Sequence, residues 1–140
     1  MKLEGLKINF LGDSITEGYL AGGADKIYHA VLAKEVNLAV ARNYGISATK
    51  YAIQKGYPER PLKREDELPF CDRFKEMDDD ADIVVVFGGT NDYGHGDAPI
   101  GSMQDRTPDT FYGGLHSLYL SLLEKYPESV IVVIISYHRC

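Results

Sequence analysis

A chain of 140 residues, 44% hydrophobic and 26% charged, has the size and composition of one ordinary globular domain. With 15 Lys and Arg against 21 Asp and Glu, its formal charge of -6 excludes a nucleic-acid or anionic-membrane surface built on massed cations. The amino terminus, MKLEGLKINF, lacks the apolar core of a signal peptide, and the longest apolar run, 130–135, is too short to span a bilayer, so a cytoplasmic location is expected.

In chain order, residues 7–13 (KINFLGD) read as a first strand closed by glycine, and 25–36 as a helix with Ile27, Tyr28, Val31, Leu32 and Val36 on one face. Residues 37–43 read as a second strand. The polar stretch 54–69, with Pro58, Pro61 and Pro69, reads as a surface excursion, and its cation-rich part, 55–64, as a solvated loop. A short helix over 68–77 follows, holding Cys71 as a buried, unpaired thiol. The β-branched run 82–87 (DIVVVF) predicts a strand covered on both faces. Thr107, Pro108 and Asp109 predict a helix start and Pro127 its end, with Phe111, Leu115, Leu118 and Leu122 buried between. Residues 129–136 (SVIVVIIS) give the last strand.

Alternating strands and helices, with strands apolar on both faces, predict a parallel sheet flanked by helices. In such sheets ligands bind beyond the carboxyl ends of the strands. Three motifs fall there: GDSITEG (12–18) after the first strand, NYGIS (43–47) after the second and GGTND (88–92) after the third. A serine hydroxyl in a tight turn with free backbone N–H groups is the arrangement nucleophilic acyl transfer requires.

This ordered set resembles the first three sequence blocks of the SGNH (GDSL-type) hydrolases. The resemblance implies a three-layer α/β/α sandwich with a flavodoxin-like sheet, strand order 2-1-3-4, and an ester or acyl hydrolase working through an acyl-serine. It further implies Ser14 as nucleophile and an oxyanion held by the Ser14 N–H, the Gly45 N–H and the Asn91 side-chain amide. Asp13 is expected to brace the Ser14 turn by local hydrogen bonds, and Asp92 to act likewise. No metal or cofactor is expected, and the partner is a small ester or acylated molecule.

The family's last block, D-x-x-H, follows a fifth strand and helix and supplies the base. The one such string in the 140 residues, Asp92–His95, overlaps the third motif and follows neither a fifth strand nor its helix, which leads to the expectation of a single domain, 1–140, incomplete at its carboxyl end. Of the four histidines, His29 and His116 read as helix-surface or boundary residues. His95, in the loop after GGTND, and His138, past the last strand, lie on the correct sheet edge to substitute. Two alternatives stand beside the hydrolase: a pocket that binds acyl ligands without turnover, and a flavodoxin-like anion or cofactor binder. The apolar last strand, left as an edge, leads to the expectation of a homo-oligomer.

Overall fold

The computed structural model describes residues 2–135. His138 and Cys140 therefore lie outside the described residues. The elements in chain order are β1 (Lys7–Gly12), α1 (Ser14–Glu17), α2 (Tyr28–Val36), β2 (Val40–Gly45), α3 (Phe70–Arg73), β3 (Ile83–Gly88), α4 (Thr90–His95), α5 (Phe111–Lys125) and β4 (Val130–Ile135). The four strands form one parallel sheet in the order β2-β1-β3-β4.

Side chains on successive strand residues point to opposite faces, and the sequence fills both with apolar groups. On one face Leu11, Val84 and Val86 pack with Phe70, Phe74, Leu118, Leu122 and Tyr126 from α3, α5 and their flanks. On the other, Ile8, Phe10, Ile83 and Val85 pack against Tyr28 and Leu32 of α2. The result is the expected layering of helix, sheet and helix. Phe111 and Leu115 are only partly buried, whereas Leu118 and Leu122 are sealed. Cys71 is buried and free, as its apolar setting in the sequence suggests.

Several boundaries differ from the sequence reading, each for a local reason. The first long helix starts at Tyr28, not at 25, because Ile27 is extended (φ -69, ψ 138) and only a turn of 3-10 helix precedes it. β2 starts three residues later than expected. Asn37 takes the left-handed conformation (φ 53), and Leu38 N–H returns to the Ala33 carbonyl, so this stretch ends the helix before the strand begins. α5 is capped by Thr110, not Thr107: the Thr110 hydroxyl accepts the Gly113 N–H at 3.0 Å, while the Pro108 carbonyl accepts the Ile53 N–H at 2.9 Å. The helix expected over 68–77 is four residues of α-helix followed by a 3-10 turn.

Residues 54–69 are not simply a solvated loop. Gln54 and Asp66 are buried, and Arg60 pairs with Asp66 and Asp97 at 3.1 and 3.2 Å. β4 forms the sheet edge, with Val130, Val132, Val133 and Ile135 all exposed. Among the described residues no helix is long and apolar enough to cross a membrane, and no group of His, Cys, Asp and Glu is placed to hold a metal ion.

Candidate active site

The register fixes where the three motifs meet. Gly12, the last residue of β1, pairs with Gly45 of β2 on one side and Phe87 of β3 on the other. GDSITEG, NYGIS and GGTND therefore open side by side at the carboxyl edge of the sheet. Gly12 must be glycine, because a Cβ would sit 2.9 Å from the Phe87 carbonyl oxygen and would overlap Thr16. The chain can then turn directly from strand to helix.

Ser14 is the first residue of α1, partly buried. Asp13 caps that helix: its Oδ1 accepts the Ile15 N–H at 3.0 Å. Burial raises the Asp13 carboxyl above its ordinary range, opposed by the Ile15 N–H and by the Arg73 cation. Gly18, in the left-handed conformation at φ 104, closes the turn by donating to the Ser14 carbonyl at 3.0 Å. Neither the hydroxyl nor the backbone N–H of Ser14 has a hydrogen-bond partner among the described residues. Both are available to a ligand.

Gly45 ends β2 against the backbone of α1, where a Cβ would lie 2.6 Å from the Thr16 carbonyl carbon. Its absent side chain thus lets α1 pack onto the second strand. Its N–H donates to Asn43 Oδ1 at 2.8 Å, so an oxyanion would have to displace Asn43 to receive it. The following loop is tightly folded. Ser47 N–H donates to Glu17 Oε2 at 2.8 Å, the Ser47 hydroxyl contacts the same oxygen, and Thr49 Oγ1 donates to the Ile46 carbonyl at 2.7 Å. Ala48 holds φ 62, a left-handed conformation that costs a non-glycine residue about 1 kcal/mol.

Asn91 lies in the first turn of α4 and is 9% exposed. Its Nδ2 donates to the Thr49 carbonyl at 3.0 Å, which uses one of the two amide hydrogens and fixes the plane of the amide. Asp92 does not close a local turn. Its carboxylate accepts the Tyr51 N–H at 3.1 Å and lies 3.5 Å from the Ala52 nitrogen, across 40 residues of sequence. Burial raises the Asp92 carboxyl to about 6, against those N–H donors.

Two cations that sequence reasoning left unassigned hold this edge together. The Arg73 guanidinium, 8% exposed, donates to carbonyls of Leu68, Tyr44 and Gly12 and to the Thr49 hydroxyl. Lys50 Nζ donates to the Ala48 carbonyl at 3.0 Å and to Asp66 Oδ1 at 2.8 Å, in a pair whose side chains are 2% and 1% exposed. Burial opposes ionisation of Asp66, but Lys50, the Lys63 N–H and Arg60 outweigh it and hold the carboxyl at about 2. Neither carries a local signal in the sequence: Lys50 stands between Thr49 and Tyr51, and Arg73 between Asp72 and Phe74.

None of the described histidines bonds to Ser14. His29 is buried, not at a helix surface, packed with Phe10 and Tyr28, and neither ring nitrogen has a partner among the described residues. His95 is exposed and closes α4 instead of lying in a loop. His116 is partly buried within α5.

Comparison with known proteins supplies independent support. A structure from Lactobacillus plantarum is 32% identical, with a TM-score of 0.75, matching 96% of this chain and 58% of its own length. This chain thus spans less than two thirds of that protein. A candidate GDSL-like lipase from Bacteroides ovatus (20% identity, 96% of this chain, 74% of that one, TM-score 0.78) shares the fold. So does one from Bacteroides uniformis (23%, 94%, 71%, 0.78). No curated protein matches. Residues 10–139 match the model of the GDSL-like lipase/acylhydrolase family, which takes in all three motifs, and the chain belongs to that family.

Proposed function

We propose that this chain carries the nucleophile and oxyanion side of an acyl hydrolase that acts on a small ester, with Ser14 as the attacking residue and an acyl-serine as intermediate. The observation that carries the reading is the Ser14 turn: a hydroxyl and an N–H with no partner among the described residues, at the end of the central strand β1, flanked by the motifs that end β2 and β3.

In this reading the Ser14 oxygen attacks the ester carbonyl carbon, and the charge that develops on the carbonyl oxygen is met by the Ser14 N–H and the second amide hydrogen of Asn91. Gly45 contributes its N–H only when Asn43 releases it. Collapse breaks the bond to the alcohol oxygen, which leaves carrying the proton given up by the Ser14 hydroxyl, and water then hydrolyses the ester on Ser14 to the free acid and restores the hydroxyl. Asp13 holds the helix start in place and has no proton-transfer role.

The one D-x-x-H string, Asp92–His95, lies within α4, where Asp92 accepts the Tyr51 N–H, and among the described residues the Ser14 hydroxyl is not bonded to a base. That observation favours, as a second reading, a chain that binds acyl ligands at this edge and turns them over slowly by itself. Without a base, serine hydrolases retain only about 10³- to 10⁴-fold over water from binding and the oxyanion hole. A fluorophosphonate probe tests the first reading. Labelling that is lost in Ser14→Ala supports an activated serine, and absence of labelling in folded protein favours the binding module. A cytoplasmic location is part of the proposal.

A further inference from the structure

We propose that Arg73 is a positioning residue for the Ser14 site, a single buried guanidinium that sets the mutual placement of the three loops that build it. The inference rests on the Ser14 reading above. Arg73 reaches the site from the end of α3, 59 positions after Ser14, in a segment that carries no part of the three motifs.

The geometry is specific. Nη2 donates to the Gly12 carbonyl at 3.0 Å, two residues before Ser14, and to the Thr49 hydroxyl at 2.9 Å. Nη1 donates to the Tyr44 carbonyl at 2.8 Å, one residue before Gly45. Nε donates to the Leu68 carbonyl at 2.9 Å, which fixes the guanidinium to the start of its own helix. The Phe70 ring lies under the cation, 4.9 Å from the guanidinium carbon. Thr49 is itself fully buried, and its carbonyl receives the Asn91 amide at 3.0 Å. An unbroken set of hydrogen bonds thus runs from the Gly12 peptide through Arg73 and Thr49 to Asn91.

Only arginine fits these demands. Its planar fork points several N–H groups in fixed directions, whereas a lysine ammonium is a compact point charge on a flexible stem. The acceptors are carbonyls and a hydroxyl, so the fork is used for direction, not for charge neutralisation. Asp13 and Glu17 supply the opposite charge at longer range, and burial still lowers the guanidinium to about 10. A site held this way is sensitive: displacing reacting groups by about 1 Å can cost about 10²-fold in rate.

The test compares wild type, Arg73→Lys and Thr49→Val in the 140-residue chain. One readout is the rate at which Ser14 is acetylated by p-nitrophenyl acetate, and the other is the ¹⁵N spectrum. In folded Arg73→Lys, acetylation falls about 10²-fold, and the resonances of the Asn91 side-chain amide and of the Ser14 backbone amide move while those of β4 stay in place. Wild-type acetylation by folded Arg73→Lys, or unmoved Asn91 and Ser14 resonances, overturns the proposal. If Arg73→Lys does not fold, Thr49→Val decides, since it removes the hydroxyl that accepts from Arg73, together with that hydroxyl's bond to the Ile46 carbonyl, and keeps the Thr49 carbonyl that receives the Asn91 amide. Displacement of the Asn91 amide resonances supports the role, and an unchanged amide rejects it. If wild-type Ser14 takes no acetyl group, the hydrolase reading fails, while the two spectra still decide whether Arg73 holds Asn91 and Ser14 in place.

Discussion

The side-chain amide of Asn91 donates to the Thr49 carbonyl at 3.0 Å, so the motif after β3 is tied directly to the loop after β2. One amide hydrogen is spent on that bond and the other remains for a ligand. This bond makes Asn91 a donor of fixed direction, which is what stabilisation of a developing oxyanion requires. We predict that Asn91→Ala lowers acyl transfer to Ser14 by about 10²- to 10³-fold with little change in the far-ultraviolet circular dichroism. A rate within twofold of wild type would remove Asn91 from the oxyanion hole.

The Lys50–Asp66 pair lies almost wholly out of solvent. Removing one partner strands a buried charge, so Asp66→Asn is predicted to cost about 3–5 kcal/mol in urea unfolding. The double variant Lys50→Met with Asp66→Leu should recover most of that loss, because both ions of the buried pair are gone and Arg60 keeps Asp97 as its partner. Equal destabilisation by the single and double variants would show that the charge itself is not what the pair balances. The sign of the pH effect follows from the lowered carboxyl: Asp66 stabilises the fold above pH about 4, and that contribution is lost as pH falls towards about 2.

Asp92 behaves in the opposite sense. Its carboxyl is raised to about 6, so its contribution to stability is fully present below pH about 4 and is lost as pH rises through 6. The melting temperature of wild type relative to Asp92→Asn should therefore drop as pH goes from 4 to 7. A difference independent of pH would mean that Asp92 is not desolvated as described.

The exposed edge of β4 motivates a fourth prediction. Four apolar residues of this strand are exposed, with Ile135 at 86%, and no charge interrupts the run. Unpaired apolar edges recruit further strands. We propose that the 140-residue chain self-associates through this strand and that Val133→Lys reduces the association measured by light scattering. A monodisperse wild-type monomer at micromolar concentration would sink the idea.

Much of this was legible in the sequence because the signals were local. The run DIVVVF read as a strand covered on both faces and is one, whereas the equally apolar 130–135 forms an exposed edge, and the three motifs follow strands whose order the family resemblance implied. Helix starts were less legible: Thr107 and Thr110 offer the same hydroxyl, and only the hydrogen bonds around Asp105, Pro108 and Gly113 choose between them. The bracing of the site was not legible. Nothing in the sequence singled out Arg73 and Lys50, because their partners, at Gly12, Thr49 and Asp66, are distant in sequence or lie in a stretch rich in proline and charge. Nor did the sequence disclose that the Gly45 N–H is already engaged by Asn43.

The central claim is that Ser14 accepts an acyl group, and the most direct test is to find that group on it. After incubation of the 140-residue chain with p-nitrophenyl acetate, peptide mass spectrometry should place one acetyl on Ser14, and Ser14→Ala should lack it. Acetyl groups confined to surface lysines, or carried by Ser47 in place of Ser14 in folded protein, would contradict the account.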